Sequence, residues 1–136
     1  MNTIILNIDK INKIVEKLKL KLEKLENNAI VILRGDLASG KTTFVKKYVE
    51  SLGLDDLVTS PTFSLQSIYS NEIYHYDVYN KTLEEFIALG MLEEFEKNGI
   101  HFVEWGDEKL EELLKSYGYD VILLQIKKDN DKRQYI

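Results

Sequence analysis

One stretch constrains the fold more than any other: Gly35-Asp36-Leu37-Ala38-Ser39-Gly40-Lys41-Thr42. It fits the phosphate-loop pattern G-x-x-x-x-G-K-[ST] at every fixed position. Small residues let the backbone curl so that N–H groups point inward at an anion. The helix that must come next adds unpaired N–H groups and the positive end of its dipole. Four fixed positions also match by accident, so the flanks decide. Before the loop, Ala29-Ile30-Val31-Ile32-Leu33 is an apolar run of strand length. After it, Phe44, Val45, Tyr48, Val49 and Leu52 recur at helical spacing, and Gly53 stands where the helix should stop. Both flanks agree with a nucleotide-phosphate loop. Lys41 then reaches the β- and γ-phosphates, Thr42 offers its hydroxyl to Mg²⁺, and Asp36 sits at the solvated outer turn.

The rest of the chain supplies a layered framework. Thr3 to Ile8 reads as a strand, and Asp9 can cap a helix directly after it. Ile11, Ile14, Val15, Leu18, Leu22 and Leu25 form one apolar stripe, which predicts an amphipathic helix to about Asn27. Lys10, Lys13, Lys17, Lys19, Lys21 and Lys24 crowd the same segment, either a local basic patch or, the preferred reading, its solvated face. Leu54 to Thr62 is a connector containing the only proline, Pro61. Thr59-Ser60-Pro61-Thr62-Phe63 is either a rigid turn or a loop whose hydroxyls face the terminal phosphate. Ser64 to Ser70 and Glu72 to Tyr79 read as an antiparallel hairpin. Thr82-Leu83-Glu84-Glu85 is a capping box opening a helix with Leu83, Phe86 and Ile87 inward. Gly90 interrupts, and Met91, Leu92 and Phe95 continue an apolar face to Gly99. Ile100 to Trp105 is a strand. Asp107 caps a helix carrying Leu110, Leu113, Leu114 and Tyr117, closed by Gly118. Tyr119 to Ile126 is a further strand, and Arg133 to Ile136 a last edge strand. This order predicts an α/β fold: one P-loop NTPase-like domain over residues 1–136, with a mostly parallel central sheet, an antiparallel hairpin and helices on both faces.

Bulk properties exclude several classes. There is no cysteine, so neither a disulfide framework nor a thiolate metal site is available. No apolar run approaches the roughly 18 residues of a membrane span, and the first residues lack a secretory pattern. A cytoplasmic protein without membrane attachment is expected. The net charge of −5 does not recruit nucleic acid by charge alone.

A phosphate loop needs acidic partners to hold Mg²⁺ and to position an attacking water. Asp77 ends the run Ile73-Tyr74-His75-Tyr76, and Glu104 ends Ile100-His101-Phe102-Val103. Either can bind the cation, and either can orient the water. The bland alternative for each is a solvent-exposed acid at a strand exit. His75 and His101 read as packing or hydrogen-bonding residues, since no second ligand sits at metal-ligand spacing. Trp105 is either core or a ring beside the site.

Gly35 to Phe44, then Ser60-Pro61-Thr62-Phe63, then His75-Tyr76-Asp77-Val78-Tyr79, then Glu104-Trp105, occur in that order. This combination resembles the TsaE (YjeE) family of bacterial ATPases in tRNA threonylcarbamoyladenosine biosynthesis, from about Asp9 to Glu104 and beyond. The resemblance implies ATP and Mg²⁺ as cofactors. It implies action beside TsaD-type and TsaB-type subunits, which transfer a threonylcarbamoyl group to adenosine of ANN-decoding tRNAs, so that contact with tRNA is only indirect. Its ATP hydrolysis would support repeated turnover of that complex. By matching position, Gly35, Asp36, Leu37, Ala38, Ser39, Gly40, Lys41, Thr42 and Thr43 cradle the nucleotide, with Ser60 and Thr62 in a switch-like loop and Trp105 as companion ring. Lys41, Asp77 and Glu104 are the catalytic group, and Thr42, Asp77 and Glu104 the metal-binding group. Two positions depart from the family pattern. Ala38 stands where glycine is usual, which is strained if φ is positive there. Asn80 stands where arginine usually comes after the Asp-x-Tyr unit.

Two other classes compete. A small-molecule kinase would need an acceptor pocket and usually a basic lid, yet the arginines are only Arg34 and Arg133. A nucleotide-switched binding module would use the same loop without useful turnover.

Overall fold

The computed structural model describes residues 10–36, 40–61 and 64–127, and the backbone of residues 3–7. Six strands form one sheet in the order β1-β6-β2-β5-β4-β3. They are β1 (Thr3–Asn7), β2 (Ala29–Arg34), β3 (Gln66–Tyr69), β4 (Ile73–Asp77), β5 (Ile100–Glu104) and β6 (Val121–Lys127). All neighbours run parallel except the edge pair β3–β4. Parallel neighbours need crossovers, which the helices provide. The expected hairpin is present, with shorter strands than the sequence suggests.

Central strands buried on both faces are apolar nearly throughout. In β2, Ala29 to Leu33 are all buried. Val31 and Leu33 face α1 (Ile11–Lys24) and α2 (Lys41–Ser51), packing with Val15, Leu18, Phe44 and Tyr48. Ile30 and Ile32 face the other way, toward α3 (Leu83–Ala88), a 3-10 turn (Met91–Glu96) and α4 (Glu108–Ser116). There they meet Phe86, Phe95, Leu110 and Leu114. Helices therefore cover both faces, as the order of elements predicts. No helix among the described residues is long and apolar enough to cross a membrane.

Local signals account for the element ends. Thr82 and Glu85 make the reciprocal capping bonds at 2.9 and 3.1 Å. Asp107 Oδ1 accepts from the Leu110 N–H at 2.9 Å and starts α4. Ile87 is 46% exposed, not inward, because α3 has only six residues and its buried position is taken by Phe86, one residue earlier. Tyr117 is 60% exposed because it is the cap residue of α4, past the last turn of the buried stripe. Lys10, not Asp9, flanks α1, without a side-chain cap bond. Asp9 and the suggested strand at Arg133 to Ile136 lie outside the described residues.

Candidate functional site

The loop lies at the carboxyl end of β2, where ligands of parallel sheets collect. β2 ends at Arg34, and α2 opens at Lys41 after Gly40, whose φ of 108° suits glycine alone. Leu37, Ala38 and Ser39 lie outside the described residues, and with them the φ of Ala38. Asp36 is exposed, as expected. Lys41 is 4% exposed. Its Nζ donates to the carbonyl oxygens of Gly35 at 2.8 Å and Asp36 at 2.9 Å, and stands 3.9 Å above the centre of the Trp105 ring. Burial pulls the Lys41 ammonium below its ordinary 10.5, and the negative charges of Glu104, Asp77 and Asp36 offset part of that. A buried ammonium against carbonyls and a ring face is a strong anion attractor once an anion replaces the carbonyl contacts.

The two acids end adjacent strands in register, Asp77 opposite Glu104. They are 4% and 3% exposed, so neither is the solvated strand-exit acid of the bland alternative. Glu104 Oε2 accepts from the Thr42 hydroxyl at 2.7 Å, which ties β5 to the first turn of α2. Asp77 Oδ2 accepts from the Ser60 hydroxyl at 2.8 Å, and Oδ1 from the Tyr79 N–H at 2.9 Å. The connector is thus bonded to one of the acids. Thr62 lies outside the described residues, and Thr43 is exposed on α2. Trp105 has φ +70°, uncommon for a bulky residue. It is held there by its N–H bond to Leu33 O at 3.2 Å and by the Tyr79 ring, 4.8 Å between centroids.

His75, expected to pack or hydrogen-bond, does both, and Tyr69 and Arg34 join it beside the site. His75, fully buried, places Nε2 2.5 Å from Glu104 Oε2 and Nδ1 2.9 Å from the Tyr69 hydroxyl. The chain does carry a signal for it: strand residues two apart share a face, so His75 lies on the face of Asp77. Burial raises the Tyr69 phenol above its ordinary 10.0, which keeps it protonated and able to donate. Arg34 donates to Gly106 O at 2.8 Å and to Glu111 Oε1 at 2.7 Å, joining the loop's first strand to α4. Nothing in the spacing of Arg34 and Glu111 announces that pair.

The donor set suits Mg²⁺. Among the described residues no three His, Cys, Asp or Glu side chains gather as a metal cluster. Mg²⁺ at nucleotide sites takes one or two protein oxygens, with waters and phosphates completing the shell. Thr42 and Glu104 offer two hard oxygens 2.7 Å apart. Beside the loop opens a cleft of about 500 Å³, lined by Arg34, Gly35, Asp36, Trp105, Asp107 and Gln125.

Fold and site together define a class: α/β proteins of P-loop-like fold, with the glycine-lysine-threonine turn between a central strand and a helix. A family model described as "Threonylcarbamoyl adenosine biosynthesis protein TsaE" matches residues 7–135, and the chain belongs to that family. A Rickettsia prowazekii protein named tRNA threonylcarbamoyladenosine biosynthesis protein TsaE is 39% identical over 120 residues, 85% of this chain and 81% of its own. The Treponema pallidum protein of that name is 41% identical over 92 residues, covering 65% and 68%. The Bacillus subtilis protein of that name is 37% identical over 102 residues, covering 67% of this chain and 64% of the relative. The crystal structure of Bacillus subtilis YdiB aligns at a TM-score of 0.46 and 34% identity, over 62% of this chain and 51% of that one.

Proposed function

We propose that residues 1–136 act as one ATP-binding and ATP-hydrolysing domain in the cytoplasmic machinery that makes threonylcarbamoyladenosine in tRNA. The observation that carries this reading is the 2.7 Å bond between Thr42 and Glu104, beside a buried Lys41 under Trp105. It joins the threonine of the loop to an acid on the next strand, the pairing a phosphoryl-transfer site needs.

Each residue has a physical task. Gly40 and the start of α2 present N–H groups to phosphate oxygens. Lys41 exchanges its carbonyl contacts for the β- and γ-phosphates and neutralises charge there. Thr42, with Glu104 or Asp77, holds Mg²⁺. When bound, that ion withdraws charge from the phosphate oxygens. The acid not engaged with the cation accepts a hydrogen bond from the attacking water and aims it. Ser60 links Asp77 to the connector, so connector position and Asp77 position change together. Trp105 shields Lys41 from water. The partners are TsaD-type and TsaB-type subunits, and tRNA is reached through them.

In a reconstituted system, Asp77→Ala and Glu104→Ala should each depress phosphate release and tRNA modification by at least about 100-fold. Full activity of both variants would refute the site assignment. A pull-down against TsaD-type and TsaB-type subunits should differ between ATP and a non-hydrolysable analogue. Association indifferent to nucleotide, or none, would refute the role in the complex.

A further inference from the structure

We propose that His75 is a positioning residue for Glu104, with Tyr69 fixing the orientation of its ring. The inference rests on the ATPase reading and adds a residue to it. An ionised Glu104 only accepts hydrogen bonds, so His75 Nε2 carries the hydrogen in the contact at 2.5 Å. With that hydrogen on Nε2, Nδ1 faces the Tyr69 hydroxyl at 2.9 Å and accepts from it. The same hydroxyl lies 3.4 Å from Thr59 O, a longer and weaker option. Tyr69 therefore selects the tautomer that donates to the acid, as an outer partner does for a histidine that acts on another group.

The geometry separates His75 from Thr42. Both donate to Glu104 Oε2. Thr42 has a second assignment, as a cation ligand, so it is not a constant holder of the acid. His75 has no exposed surface, and its other nitrogen is taken by Tyr69. It is closed off from solvent, and we assign its effect to Glu104, the acid it contacts. β4 supplies the placement: His75 and Asp77 share a face, and Asp77 stands level with Glu104, so His75 is one diagonal step from it.

The test compares His75→Ala, His75→Gln and Tyr69→Phe with His101→Gln, a substitution at an equally buried histidine bonded to Tyr76 and Lys97 O instead. Steady-state phosphate release, Mg-ATP affinity from Trp105 fluorescence, and thermal melting are measured for each. His75→Ala should lower kcat roughly 10- to 100-fold, the range for loss of an outer partner, with nucleotide affinity little changed. His75→Gln keeps a donor for Oε2 and should recover part of kcat. Tyr69→Phe should lower kcat by less. His101→Gln should melt lower at unchanged kcat. The proposal fails if His75→Ala turns over like the wild type. It also fails if the His75 variants lose stability, affinity and kcat in step, with glutamine recovering nothing. A wild-type protein that neither binds nor hydrolyses ATP would defeat the ATPase reading and this inference with it. A hydrolysing wild type with an unimpaired His75→Ala would defeat the inference alone.

Discussion

Glycine is required at position 99 for two separate reasons. Its φ is +136°, and a Cβ there would lie 2.1 Å from the Glu72 carbonyl oxygen. That carbonyl already accepts the Ile100 N–H, so the backbones of β4 and β5 approach too closely at this point to admit a side chain. Gly99→Ala should destabilise the protein by about 3 kcal/mol or more, read as a fall in the denaturant midpoint. Gly90→Ala is the comparison: φ is +74°, but the nearest atom is the end of the Glu93 side chain at 3.5 Å, and about 1–2 kcal/mol is expected. Equal losses would contradict the steric argument. The same backbone logic applies at Asn80. Asn80 has φ +58°, a region asparagine tolerates better than most residues.

Between elements, the pair Arg34–Glu111 binds the end of β2 to α4, and Lys115 adds a second bond to Glu111 at 2.6 Å. Burial alone pushes the Glu111 carboxyl up, but hydrogen bonds from Lys115 and Arg34 and their charges outweigh it, and the net shift is below the ordinary 4.5. The folded state therefore holds this proton less tightly than the unfolded chain. Its contribution is present above about 4.5 and is lost as pH falls through the lowered folded value. Glu111→Gln should cost about 1–3 kcal/mol at pH 7. In urea titrations repeated at acid pH, the gap from the wild type should close below that window. A gap independent of pH would show that packing, not charge, holds α4.

The element scale is also where sequence reasoning succeeds and stops. α2, β2, the capping box at Thr82 and the cap at Asp107 are encoded by neighbours within a few residues, and the chain shows them directly. The exposure of Ile87 and Tyr117 is not legible, because periodicity does not say how many turns a short helix has before it ends. Asp77 and Glu104 are legible as strand-exit acids, yet their burial and their pairing in register come from strand order. So do the bonds from His75 to Glu104 and from Arg34 to Glu111, 29 and 77 residues apart in sequence. Local pattern carries no information on which distant strands become neighbours.

At the scale of the molecule, the sheet order brings the phosphate-loop sequence and both acids to one edge. β2 lies beside β5, and β5 beside β4, all parallel, so three carboxyl ends meet. From them come the loop, Glu104 and Asp77. α2 starts at the same edge and directs its N-terminus there, and Trp105 closes over Lys41. The nucleotide site proposed at this end of the sheet has a built-in reporter, because Trp105 is the chain's only tryptophan. Its fluorescence, titrated with Mg-ATP in the wild type and in Lys41→Ala, reads the claim directly. A nucleotide site here predicts a saturable change in emission for the wild type, with affinity weakened by about 3 kcal/mol, roughly 100-fold, in the variant. No saturable change in the wild type, or a variant that titrates like it, would contradict the claim.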